Sequence, residues 1–265
     1  MMPQSAPSIL CLSGFDPSGG AGIQADIESI ASMGGHAVPV ITALTVQDTN
    51  NVYDVQSVDS NFFIEQTSKL LEDVSVKAIK IGMGGSVSII EAINTILKQN
   101  PNLPVVYDPV LAAGGGKNLT ATDMLEAIKE LLLPHTTVLT PNSPEARKLS
   151  DQNDLKECGL NLMQQGCDSV LLTGTHEEKE HVDNLWFNQG KYVETFSWDR
   201  LPHQYHGSGC TLASAIAALV AQGLDGFNAV NEAQDYSWHT LKHAYRISAD
   251  GQHIPHRFYW QHHDG

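Results

Sequence analysis

The sequence predicts an α/β fold, a mostly parallel central sheet with helices on both faces. Short apolar runs alternate along the chain with segments whose apolar residues recur at helical spacing. Glycine or proline closes several of those segments, as at Gly34-Gly35 and Pro101. Alternation of this kind implies parallel crossovers with helices covering both faces of the sheet.

The elements follow in order. Residues 9–13 form a short apolar run that ends at Gly14 and opens into a glycine-rich loop. Ile23, Ile27, Ile30 and Ala31 then fall at i, i+4, i+7 and i+8, a helical stripe. Residues 38–46 read as a strand, 62–71 as a helix and 76–81 as a strand. Ile89, Ile93, Ile96 and Leu97 repeat the stripe. A buried strand over 105–107 stops at Asp108, and Met124, Ile128, Leu131 and Leu132 give a third stripe. Residues 138–140 are a strand ending in the Pro141-Asn142 turn. Helices over 143–150 and 155–165, then a strand over 170–173, come next. Residues 182–187 and 191–196 pair around Gly190 as a hairpin, and helices over 211–222 and 229–245 close the pattern. No repeat, low-complexity tract or long polar linker interrupts residues 1–265, so a single domain is expected.

Charge and cysteine usage narrow the function. Asp and Glu number 30 against 15 Lys and Arg, a formal charge of −15. That balance argues against a nucleic-acid or anionic-membrane partner. No apolar run approaches the ~20 residues of a membrane helix. The first apolar run, 9–12, follows no basic residue and is too short for a signal peptide. Cys11, Cys158, Cys167 and Cys210 form no C-x-x-C pair, so neither a disulfide framework nor a zinc cage is expected, and the cytoplasm is the expected compartment.

In parallel sheets ligands bind beyond the carboxyl ends of the strands. The loops beginning at Gly14, Gln47, Asp108, Asn142 and Thr173 therefore matter most. Glycines between Gly14 and Gly22 let the backbone approach a ligand and free its N–H groups, although a generous turn would look the same. The loop is not a Walker A loop, because Gly20 stands where Lys is required and Ala21 where Ser or Thr is required. Gly207-Ser208-Gly209-Cys210 opens a helix rich in small residues. Free N–H groups and the helix dipole there suit an oxyanion or phosphate, and the same field favours a thiolate at Cys210. A plain N-cap with a buried cysteine is the competing reading. Asp108, after three apolar residues, is placed to serve Mg²⁺, with Glu145 as the second carboxylate. Each is also the kind of residue that caps a helix or sits in a turn. Asp26 lies beside an apolar stripe and is expected to face the sheet end. Gln47 offers a donor and an acceptor, which suits a heterocycle edge. Of the twelve histidines, His206 stands out beside Gly207, while His253, His256, His262 and His263 read as a solvated tail.

Together these segments resemble a known family. Gly14-x-Asp16-Pro17-Ser18-Gly19-Gly20-Ala21-Gly22-Ile23-Gln24-Ala25-Asp26 resembles the opening of bacterial hydroxymethylpyrimidine/phosphomethylpyrimidine kinases, of the ribokinase-like superfamily. Thr42-Ala43-Leu44 leading to Gln47, Lys80-x-Gly82-Met83, Asp108-Pro109-Val110, Thr140-Pro141-Asn142-x-Pro144-Glu145 and Gly207-Ser208-Gly209-Cys210-Thr211-Leu212 follow in the family's order. The resemblance implies a three-layer α/β/α sandwich, usually a homodimer. It also implies two ATP-dependent steps in thiamine biosynthesis, from the hydroxymethylpyrimidine to its monophosphate and then to the diphosphate. Gly207, Ser208, Gly209 and Cys210 then resemble the catalytic anion hole, with Cys210 as the base. Gln47, Gly14, Asp26 and Val110 resemble the pyrimidine pocket. Asp108, Asn142 and Glu145 resemble the Mg²⁺ and nucleotide-phosphate group.

Two departures from the family stand out. Thr173-Gly174-Thr175 occupies a place where the family often has Lys-Gly-Gly, and Gly114-Gly115-Gly116 a place where it often has Lys-Ser-Gly. Thr173 and the adjacent Lys117 are expected to serve the ATP phosphates instead. The competing functions are a pyridoxal or pyridoxine kinase and a non-catalytic pyrimidine sensor. A cysteine hydrolase is disfavoured because no organised His and Asn/Asp partners accompany Cys210.

Overall fold

A computed structural model describes residues 6–111 and 122–262 of the chain. β1 (Ser8–Phe15) lies inside the sheet and feeds both cores: Ile9 and Cys11 point into one, Leu10 and Leu12 into the other. That two-sided burial is why its apolar run is continuous. The chain proceeds through α1 (Gly22–Ser32), β2 (His36–Gln47), β3 (Val52–Ser57), α2 (Ser60–Asp73), β4 (Val76–Ile81), α3 (Val87–Gln99) and β5 (Val105–Tyr107). It continues through α4 (Thr122–Leu131), β6 (Val138–Leu139), α5 (Ser143–Ser150), α6 (Leu155–Gln164) and β7 (Ser169–Leu172). The hairpin β8 (His181–Asn188) and β9 (Lys191–Asp199) and the helices α7 (Ser208–Ala221) and α8 (Gly226–Lys242) follow.

The nine strands lie in the order β3-β2-β1-β4-β5-β6-β7-β8-β9. β2, β1, β4, β5, β6 and β7 run parallel, while β3, β8 and β9 join antiparallel at the two edges. One core holds Phe63 of α2, Ile93 of α3, Ile128 of α4 and Leu162 of α6. The opposite core holds Ile23 and Ile30 of α1, Ile216 of α7 and Val230 of α8. The result is the expected three-layer α/β/α sandwich. Among the described residues no helix is long and apolar enough to cross a membrane.

Two regions depart from the sequence reading. β3 pairs with the end of β2 to make a flap at the sheet edge, with Ala43 opposite Ser57. Its sequence, VYDVQS, carries only a brief apolar alternation and no strong strand signal. The C-terminal segment is not a solvated tail. α8 stops at Lys242, and the chain turns back through a Tyr245–Ile254 antiparallel bridge and a Tyr205–His253 parallel bridge. Ile254, Pro255 and Arg257 are buried, and the His253 ring stacks on His203 at 3.9 Å.

Candidate active site

A cleft of about 640 Å³ opens over the carboxyl ends of the parallel strands. At one end lie Gly14 near the end of β1, Gln47 of β2, Met83 after β4 and Val110 after β5. Asp108 and the start of α7 occupy the middle. Asn142, Glu145, Thr173, His176, Trp198 and Trp238 line the other end. The order of strands in the sheet therefore separates the end at Gly14, Gln47, Met83 and Val110 from the end walled by Trp198 and Trp238.

The middle of the cleft is an anion cradle. Gly207 caps α7 in a left-handed conformation, with φ +84° and no side-chain cap bond. Thr211 N–H takes the Gly207 carbonyl at 3.0 Å, and the N–H groups of the first turn remain available. Glycine is required at 207, because a Cβ there would collide with the Gly20 carbonyl of the first glycine loop. That loop is folded around Asp16, whose carboxylate accepts from Ser18 N–H at 2.8 Å, Ala21 N–H at 2.8 Å and His206 Nε2 at 2.7 Å. Burial works against its charge, but the His206 and Ser18 hydrogen bonds and the His206 charge win, holding Asp16 at about 2.

Beneath the cradle sits a buried ion pair. Lys80 Nζ of β4 stands 2.7 Å from Asp26 Oδ1 of α1, both side chains without solvent contact. Ser13 donates to Asp26 Oδ2 at 2.6 Å, and Ser214 to Oδ1 at 2.7 Å. Asp26 does not line the cleft, which corrects its expected place in the substrate pocket: its carboxylate is spent on Lys80 and the two serines. Lys80 does line the cleft. Burial opposes its charge, yet Asp26, then Cys210 and Asp108, raise it above the ordinary lysine value. The signal for it was the second lysine of the strand VKAIKI: Lys77 falls at an exposed position, whereas Lys80 falls among buried apolar residues.

Cys210 corrects a second expectation. Burial, then the neighbouring Asp108 carboxylate, push its thiol up to about 12, against the opposing field of Lys80. These effects outweigh the helix N-terminus, so in the free protein Cys210 is a thiol rather than a thiolate. Asp108 is itself raised, chiefly by burial, while Lys80 and a hydrogen bond from Cys210 pull it down. Its Oδ2 is buried with no hydrogen-bond partner among the described residues. Glu145 is raised by burial and by the Asp108 charge. It also completes a capping box: Glu145 N–H donates to Asn142 Oδ1 at 2.9 Å, and Asn142 N–H donates back to Glu145 Oε2 at 2.9 Å.

At the far end, Asn184 of β8 takes Gly174 N–H at 3.1 Å and donates to Gln234 of α8 at 2.8 Å, and Trp198 donates to the same Gln234 oxygen at 3.2 Å. The sequence reading passed over these residues because they come from just beyond the end of β7, the β8–β9 hairpin and α8, and meet only in the fold. Of the predicted site residues, Gly14, Gln47, Asp108, Val110, Asn142, Glu145, Thr173 and Gly207 through Cys210 share the cleft. Lys117 and Gly114-Gly115-Gly116 lie outside the described residues.

An α/β sandwich with a glycine-capped anion cradle over its strand ends is that of a small-molecule phosphotransferase. The profile of the phosphomethylpyrimidine kinase family matches residues 16–256, and the chain belongs to that family. The hydroxymethylpyrimidine/phosphomethylpyrimidine kinase of Salmonella typhimurium is 36% identical over 233 residues, 85% of this chain and 87% of that protein. Among solved structures, the Clostridium difficile phosphomethylpyrimidine kinase superposes with a TM-score of 0.78 at 31% identity, covering 89% of this chain and 99% of that one. An ADP complex of Bacillus subtilis pyridoxal kinase gives a TM-score of 0.87 at 27% identity, covering 97% of this chain and 100% of that one.

Two outcomes test this geometry. Lys80→Met leaves the Asp26 carboxylate buried and unpaired, and is expected to cost about 3–5 kcal/mol in urea unfolding. Lys80→Met with Asp26→Leu should recover more than half of that loss; no recovery would contradict the pairing. Asp16 is held at about 2 in the folded chain, so its stabilising contribution is complete above the unfolded value of about 4 and is lost as pH falls through about 2. Asp16→Asn should flatten that part of the acid-stability curve, and an unchanged slope would argue against the assignment.

Proposed function

We propose that the chain phosphorylates 4-amino-5-hydroxymethyl-2-methylpyrimidine with ATP and then converts the monophosphate to the diphosphate, supplying thiamine diphosphate biosynthesis. The observation that carries this reading is the glycine-capped N-terminus of α7, Gly207 through Cys210, in the middle of the cleft between the Gln47 end and the Trp198 end. Gln47, Gly14 and Val110 receive the pyrimidine, with the Gln47 amide pairing to its donor and acceptor edge. Asn142 and Thr173 serve the nucleotide phosphates, and Lys117, outside the described residues, is assigned to the same task. The cradle's N–H groups stabilise the phosphoryl group in flight.

The donor set fits a divalent cation. Asp108 carries a buried oxygen without a partner, and the Glu145 carboxylate shares the cleft with it. Asp108 and Glu145 would hold Mg²⁺, with water and phosphate oxygens completing its shell. Mg²⁺ held there would supply positive charge beside the phosphates and would offset the Asp108 charge that, after burial, raises the Cys210 thiol. Once its own proton has passed to solvent through the cleft, Cys210 as the thiolate would accept the hydroxymethyl proton in the first step. The second acceptor is a phosphate, already largely ionised near neutral pH, and needs no base.

The reading extends to assembly and compartment. Leu44, Val46 and Tyr53 are 46%, 61% and 57% exposed on the β2–β3 flap, an apolar surface suited to a second copy of the chain. A homodimer by sedimentation at micromolar concentration is the expected state, and a monomer there counts against it. Four free cysteines and the use of ATP suit the cytoplasm.

The pyridoxal kinase likeness supports a second substrate reading. Coupled ADP-release assays with the hydroxymethylpyrimidine, its monophosphate and pyridoxal, each with and without Mg²⁺, separate the two. Pyrimidine-dependent and Mg²⁺-dependent release is expected, and release with pyridoxal alone would overturn the pyrimidine assignment. Cys210→Ala is expected to slow the first step about 10²-fold or more while sparing the second. Equal losses in single-turnover assays of both steps would remove Cys210 from the base role.

A further inference from the structure

We propose that Arg257 is a positioning residue for phosphoryl transfer, its guanidinium setting the backbone of the anion cradle at Gly207. The inference rests on the kinase reading above. Arg257 lies one residue beyond the stretch matched by the family profile. No charge pattern in the sequence marks it, and it comes to the site only through the return of the C-terminal segment.

The side chain is wholly buried, an unusual place for a guanidinium. Each of its nitrogens has a partner. Nη1 donates to Glu28 Oε2 of α1 at 2.9 Å. Nη2 donates to the Gly20 carbonyl of the first glycine loop. Nε donates to Thr211 Oγ1 of α7 at 3.0 Å.

Two of these contacts converge on Gly207. Thr211 Oγ1, which accepts from Arg257, itself donates to the Gly207 carbonyl at 2.8 Å. The Gly20 carbonyl, held by Nη2, is the group against which Gly207 packs and which forbids a Cβ there. One planar fork thus sets Gly207 from both sides: through its own carbonyl and through the wall it rests on. Gly207 holds the left-handed turn that aims the first N–H groups of α7 into the cleft. A lysine cannot reproduce the fork, because it offers a point charge without fixed donor directions.

Arg257 is anchored in turn. Its carbonyl accepts from Ser32 Oγ at 2.6 Å and Tyr236 OH at 3.1 Å. Just before it, the His253 carbonyl accepts from His206 N–H at 2.9 Å, and His253 N–H donates to the Gln204 carbonyl at 2.9 Å. The segment therefore holds the approach to Gly207 as well as the turn itself. Transfer rates respond steeply to such placement: a shift of ~1 Å costs on the order of 10²-fold. Among the described residues the Arg257 guanidinium bonds to Thr211, Glu28 and Gly20 and not to Gln47, Gly14 or Val110, so the effect belongs to kcat and not to the KM of the pyrimidine.

The test uses the full chain with ATP, Mg²⁺ and the hydroxymethylpyrimidine, below the unfolding temperature of each variant. Arg257→Lys is expected to lower kcat by roughly 10- to 100-fold, with the pyrimidine KM within about twofold. Thr211→Val, which cuts the route to Gly207 but keeps the Glu28 pair, should lower kcat in the same direction and stands in if Arg257→Lys does not fold. Ile93→Val trims the core on the opposite face of the sheet and lowers Tm while leaving kcat unchanged. Hydrogen exchange over residues 204–212 should quicken in Arg257→Lys and Thr211→Val and not in Ile93→Val. Wild-type kcat in a folded Arg257→Lys, or a rise in pyrimidine KM alone, overturns the proposal. A wild-type chain without kinase activity would defeat the kinase reading instead. The exchange measurement then decides alone: faster exchange supports the positioning of the cradle, and unchanged exchange overturns it.

Discussion

A lysine ammonium and an aspartate carboxylate meet at 2.7 Å beneath the cleft, with no water on either. Desolvating both charges is expensive, and their attraction repays it only with good geometry and further hydrogen bonds. Those bonds come from Ser13 of β1 and Ser214 of α7. Four elements, β1, β4, α1 and α7, are thereby locked around one point. Two of them carry the glycine segments that form the cradle. An apolar pair could fill the same volume, but it would not place a positive charge facing Cys210 and Asp108.

That charge matters because the chain is short of others. Against a net charge of −15, the lysine and arginine side chains lining the cleft among the described residues are Lys80 and Arg200. Arg200 is committed elsewhere: its guanidinium donates to the carbonyls of Thr175, Glu177 and Lys179. It orders the loop after Thr173 rather than reaching into the cleft with a free charge. On the proposed reading, anion binding falls to backbone N–H groups, which carry no desolvation cost comparable to that of a buried cation and which the left-handed Gly207 directs.

The same charge economy explains where local reasoning erred. At Cys210 a helix N-terminus favours a thiolate, but its field is a fraction of a charge, and burial beside a full carboxylate is stronger. At Asp26 the position one residue before Ile27 was legible as facing the sheet end. What was not legible is that Lys80, fifty-four positions later, waits there to occupy it. Asn142 and Glu145 show the reverse: both the capping box and the cleft-lining position are real, so the bland and functional readings describe one arrangement.

The sequence by itself determined the layers, because a period of 3.6 or a continuous apolar run dictates which surface an element must bury. It also determined the loops at the strand ends and the glycine segments, whose conformations follow from local backbone sterics. Tertiary structure alone decided the protonation of Cys210, the partner of Asp26, the flap strand β3 and the burial of Arg257 between α1 and α7. These depend on groups distant in the chain meeting in a low-dielectric interior. Coulomb and desolvation energies are set there by separation in space, which no local pattern encodes.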